Sequence, residues 1–158
     1  MFFLIENALP PAFADIDMTY YLHYVSKTSS PDVLENIEYA SDCSFSPMKK
    51  TVLLLKSDSI GLDDSEFGKK LMVEFLHEMY LSKKKPGTVI LLNTAVKILE
   101  SSTGMCIFSS LEKQSVKILI CMTSAEKYKL LDKITLGSVV LMEEIFREIM
   151  AATKVISI

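Results

Sequence analysis

From residue 48 to the C-terminus, hydrophobic and polar positions alternate between two kinds of pattern. The runs TVLLLK from Thr51 to Lys56, TVILLN from Thr88 to Asn93 and SVKILIC from Ser115 to Cys121 are short and nearly continuous in apolar residues. That is the pattern of strands covered on both faces. After the polar stretch from Ser57 to Asp64, Phe67, Leu71, Phe75 and Met79 recur every four residues, with Met72, Leu76 and Tyr80 beside them. Glu66, Lys69, Lys70, Glu74 and Glu78 fill the other side, which predicts an amphipathic helix capped by Ser65 and closed before Pro86 and Gly87. The remaining pattern predicts a loop and helix over Leu99–Gln114, a short helix over Ser124–Lys133 and a break at Gly137. It then predicts a helix over Leu141–Ala152, with Met142, Ile145, Phe146 and Ile149 on one face, and a closing strand over Lys154–Ile158. Strands alternating with helices imply right-handed crossovers and a mainly parallel sheet, hence an α/β domain.

Residues 1–47 read differently. Thr19–Val25 has the aromatic and β-branched character of a strand, and Ser30-Pro31 opens a predicted helix over Asp32–Ala40. One strand and one helix cannot close a core, so this segment must pack on the main domain or on another subunit. Charge marks the same division: residues 1–47 carry one basic and seven acidic residues, whereas residues 48–158 carry 16 basic and 13 acidic ones. A boundary is therefore expected at Pro47-Met48, between a small N-terminal α/β segment and the main domain.

Length and composition narrow the function classes. At 158 residues and 49% hydrophobic, the chain suits one globular domain plus a fragment and is not disordered. Three cysteines are too few for a disulfide scaffold and point to a reduced, cytoplasmic setting. No apolar run approaches the ~20 residues that span a bilayer, and the N-terminus lacks a basic leader and is interrupted by Glu6 and Pro10. The small positive surplus after residue 47 does not amount to a nucleic-acid patch. Lys83, Lys84 and Lys85 precede a turn and read as a solvated helix end.

Candidate chemistry follows from the topology. Ligands of open parallel sheets bind outside the carboxyl ends of the strands. Three loops are expected to meet there: Ser57 and Asp58, then Asn93 to Lys97, then Cys121 to Ser124 with Thr123 between them. Hydroxyls, an amide, a carboxylate, an ammonium and a thiol would converge, although polar residues also end strands and cap helices for purely local reasons. Cys121, after an apolar strand and before a helix, is placed for a stabilised thiolate that could act as a nucleophile or sulfur carrier. The competing reading is an inert buried cysteine. Cys106 lies among Met105, Ile107 and Phe108 and reads as core, and Cys43 has no evident partner. His77 begins HEMYL and not HExxH, no Gly-rich nucleotide loop occurs, and Asp63, Asp64 and Glu66 read as helix capping. Neither a metal nor a cofactor is expected.

The loops also carry a family resemblance. Ser57, Asp58, Gly61, Asp63, Asp64, Glu66, Gly68, Leu71 and Met72 resemble the SSDxMGxGDxELGxxLM stretch of YedF-like proteins, the selenium-metabolism-associated members of the DsrE/DsrF-like sulfur-relay superfamily. Asn93–Lys97 is similar to their YNxGVKL turn, and Ile118–Ser124 with Tyr128 and Leu130–Lys133 to their ILxCGTCLxYYGLxDK segment. The N-terminal segment weakly resembles a truncated TusA-like domain, with Leu9-Pro10-Pro11 where a Cys-Pro-x-Pro motif would stand. The resemblance implies a three-layer α/β/α, flavodoxin-like fold and a homo-oligomer. It also implies a persulfide on Cys121, with protein thiols as sulfur donor and acceptor. Ser124 replaces the family's second cysteine, Met122 its glycine and Leu141 an expected asparagine, so a two-cysteine mechanism is excluded. Two expectations remain: a single-cysteine sulfur or selenium carrier with Ser57, Asp58, Asn93, Lys97, Thr123 and Ser124 around it, or a degenerate binding or assembly module.

Overall fold

The structure is a computed structural model; it describes residues 48–61 and 65–158. The strand and helix expected over 19–25 and 32–40, the boundary at 47/48, Cys43 and the capping acids at 63 and 64 lie outside the described residues.

The chain runs β1 (Met48–Leu55), α1 (Ser65–Leu81), β2 (Pro86–Leu91), a 3-10 helix (Asn93–Glu100), α2 (Ser102–Lys113) and β3 (Lys117–Cys121). It continues with α3 (Met122–Lys127), a 3-10 turn (Leu131–Lys133), β4 (Ser138–Val140), α4 (Met142–Ala151) and β5 (Lys154–Ser157). All four strand pairings are parallel, in the order β4-β3-β2-β1-β5. This is the expected flavodoxin-like α/β/α architecture, with every described strand parallel.

Strand parity sorts the core into two clusters, because residues two apart share a face. Leu53, Leu55, Val89, Leu91, Ile118 and Ile120 pack with Met72, Leu76 and Met79 of α1 and Ile107, Phe108 and Leu111 of α2. Val52, Ile90, Leu119, Cys121 and Val140 form a smaller cluster with Ile145 of α4. The connections from β1 through β4 advance one strand at a time across one side of the sheet. The last connection returns across the whole sheet to place β5 beside β1, and α4 rides on it. One helix of ten residues is therefore the cover on the second face among the described residues.

The loop and helix expected over Leu99–Gln114 are present: the 3-10 helix ends at Glu100 and α2 begins after Ser101, whose hydroxyl accepts from the Gly104 amide at 3.0 Å and caps it. Two other sequence expectations are corrected. The helix expected over Ser124–Lys133 ends at Lys127, because Lys129 takes a left-handed φ of 57°. On α4 only Ile145 is buried, whereas Met142 and Phe146 are 54% and 63% exposed. Its apolar arc is wider than the strip of sheet it covers. Strand β4 was not expected: three residues at a sheet edge leave too short a pattern to register.

Candidate functional site

The three loops at the carboxyl ends of β1, β2 and β3 do meet. Thr94 Oγ1 donates to Ser57 Oγ at 3.4 Å and accepts from the Asp58 amide at 3.3 Å, which ties the β2 loop to the β1 loop. The Asn93 amide donates to Ser124 Oγ at 2.9 Å, and Tyr128 Oη donates to Asn93 Oδ1 at 3.2 Å, which ties it to α3. Asn93 itself has a φ of 51°, a left-handed conformation that asparagine adopts more readily than most residues. Lys97 Nζ lies 4.5 Å from the centroid of the Tyr128 ring and Lys127 Nζ 5.4 Å from it, within cation–π range. Asp58 pairs with Lys69 of α1 at 3.7 Å. Thr123 is exposed at the second position of α3.

Of the residues expected at the site, Ser57, Asp58, Asn93, Lys97 and Ser124 thus belong to one polar seam. Thr94, Lys127 and Tyr128 join it: Thr94 belongs to the expected 93–97 loop and Tyr128 to the family resemblance, but none of the three is among the expected site residues. Tyr128 stands four residues after Ser124, the spacing that puts two side chains on one helix face, and that was the available signal.

Cys121 is placed differently. It is the last ladder residue of β3, opposite Val140, and the N-cap of α3, but its side chain makes no capping hydrogen bond. It is 2% exposed and packs in the smaller cluster with Val52, Ile90, Leu119, Val140 and Ile145. Ala125 and Tyr128 pack with the larger cluster instead. The Cys121 side chain therefore packs on the α4 face of the sheet, whereas α3, which carries Ser124 of the seam, packs on the other face through Ala125. Cys106, expected as core, is half-buried on α2, and both cysteines are free thiols.

A second polar group lies at the amino ends of β2 and β3. Thr88 Oγ1 donates to Glu148 of α4 at 2.8 Å, and Lys117 Nζ reaches Glu148 at 2.9 Å and Glu144 at 3.6 Å. Burial pushes the Glu148 carboxyl upward. The hydrogen bonds from Lys117 and Thr88, with the charge of Lys117, outweigh burial and hold it below the usual range. The same hydrogen bond to Glu148 raises Lys117 against a smaller opposing effect of burial. This group anchors α4 on the sheet. On the opposite face, burial first and the neighbouring Cys106 second raise the Tyr80 hydroxyl.

Among the described residues, no group of three or more His, Cys, Asp or Glu side chains is placed to hold a metal ion. No helix there is long and apolar enough to cross a membrane. No family model matches the chain, and no curated protein matches it. One similar solved structure is that of the ychN protein from E. coli, at 15% identity, covering 69% of this chain and 99% of that one with a TM-score of 0.44. A likeness that loose does not carry a function across.

Proposed function

We propose that the chain is a binding or assembly module on a DsrE-like scaffold, in which the strand-end cysteine has become part of the core. The burial of Cys121 carries this reading. A carrier must present its thiolate to the sulfane sulfur of a donor persulfide, accept that sulfur as Cys–S–S⁻ and release the donor thiolate. A side chain 2% exposed beneath α4 is closed to that attack. Ser124, in the place of a second thiol, is committed to the Asn93 amide.

The outer face of α4 is the surface for assembly. Met142, Phe146 and Met150 recur every four residues and are 54%, 63% and 68% exposed, and Leu141 lies beside them. Side chains of this size on one exposed stripe match an interface better than a solvated helix face. A second copy of the chain is the expected occupant, since a self-complementary stripe suits a two-fold contact.

The test uses the full chain. Sedimentation equilibrium should show a homo-oligomer that Phe146→Glu dissociates, and iodoacetamide should label native Cys106 well before native Cys121. A monomeric wild type, or Cys121 labelling as fast as Cys106, would count against the proposal. The rival reading, a single-cysteine carrier, retains the position of Cys121 at the carboxyl end of β3. It requires that incubation with a persulfide donor add one sulfur atom to Cys121, selectively over Cys106 and Cys43.

A further inference from the structure

Beside the polar seam lies a cavity of about 410 Å³ that neither reading of Cys121 uses. It opens between the corner where the 3-10 helix meets α2 and the turn after α3. Leu99, Met105, Leu130 and Ile134 supply an apolar lining, with Leu99 and Leu130 themselves buried in the larger core. Its polar groups are few. Ser101 Oγ is already spent, donating to the Ile98 carbonyl at 2.9 Å and accepting from the Gly104 amide. The Ser102 hydroxyl has no partner among the described residues. Glu100 and Lys133 face each other at 3.7 Å, with side chains 47% and 69% exposed.

The volume falls in the range of small-molecule sites, which are mostly apolar with a few polar groups that orient the ligand. The charged walls decide the class. One carboxylate and one ammonium stand together, so a simple anion or a simple cation meets an opposing charge along with an attractive one. A ligand carrying both charges on one carbon's substituents satisfies both. The pair it would open is exposed and screened, so separating it costs little. We infer that this cavity binds a zwitterionic small molecule with an apolar body, of the class of free aliphatic or thioether α-amino acids. The ligand ammonium meets Glu100, its carboxylate meets Lys133 and the Ser102 hydroxyl, and its side chain lies on Leu99, Met105, Leu130 and Ile134.

The inference is independent of the assembly reading, and its test does not involve α4 or Cys121. L-leucine titrated into the ¹⁵N-labelled full chain should shift the amides of residues 99–105 and 130–134 saturably in the millimolar range. Two analogues each lack one charge: 4-methylpentanoate has no ammonium and leucinamide no carboxylate, and each should bind at least tenfold more weakly. Glu100→Gln and Lys133→Met change exposed side chains and should leave the fold intact while weakening leucine by a similar factor. Absence of saturable shifts, shifts that map elsewhere, equal binding of either analogue, or indifference to both variants would each overturn the inference.

Discussion

Gly104 sits inside the first turn of α2, where helix propensity favours replacing it by alanine by up to about 1 kcal/mol. The structure predicts the opposite sign. A Cβ at this position would stand 2.1 Å from the Ile98 carbonyl oxygen, 2.7 Å from Ile98 Cγ2 and 2.9 Å from Ser101 Oγ, where real Cβ contacts stay beyond 3.0 Å. The carbonyl cannot turn aside. It accepts from the Ser101 amide at 3.2 Å and from the Ser101 hydroxyl at 2.9 Å, and Ile98 is held in the larger core. Overpacking of this kind costs typically about 1–3 kcal/mol, and a contact against main chain belongs at the upper end. Displacing Ser101 also weakens its cap on the Gly104 amide, worth about 1 kcal/mol. Against the propensity gain, Gly104→Ala should destabilise the domain by about 3 kcal/mol, or roughly 6–12 °C in Tm for a chain of this length. Urea unfolding followed by circular dichroism measures it, with an unchanged m-value showing that the native state and not the denatured ensemble was affected. Gly61→Ala is the control: nothing lies within 4 Å of its Cβ position and only its φ of +90° opposes alanine, so the loss should be about 1–2 kcal/mol. A Gly104→Ala variant as stable as wild type, or more so, would refute the packing described for this corner.

Three further outcomes follow from the polar groups. Glu148 is depressed in the folded state, so its contribution is complete above its ordinary value of 4.5 and fades as pH falls through the lower folded value. Glu148→Gln should therefore lose about 1 kcal/mol at neutral pH and flatten the acid limb of a stability–pH profile, and an unaltered acid limb would contradict the clamp on α4. In the seam, Ser124→Ala removes the acceptor for the Asn93 amide and should cost about 1 kcal/mol in urea unfolding. Asn93→Ala should cost more than Asn93→Gly, because both lose the Tyr128 hydrogen bond but only the glycine accepts a φ of 51° without strain; an alanine variant as stable as the glycine one would contradict the left-handed conformation.

Periodicity alone determined a large part of this protein. Each apolar run from Thr51, Thr88 and Ser115 is a strand, and the four-residue recurrence of Phe67, Leu71, Phe75 and Met79 is a helix, because these signals arise from residues a few positions apart. The meeting of the 57–58, 93–97 and 121–124 loops was also legible, since parallel strands deliver their following loops to one edge. In the structure Cys121 shares a face with Leu119, opposite to Ile118 and Ile120. Which helix covers that face was not legible. It depends on strand order and on the long return from β4 to β5, which are set by contacts between residues far apart in the chain. Tertiary structure therefore decided that the thiol lies under α4. It likewise decided that Met142 and Phe146 stay exposed while Ile145 is buried, since a helix stripe becomes core only where another element is there to cover it.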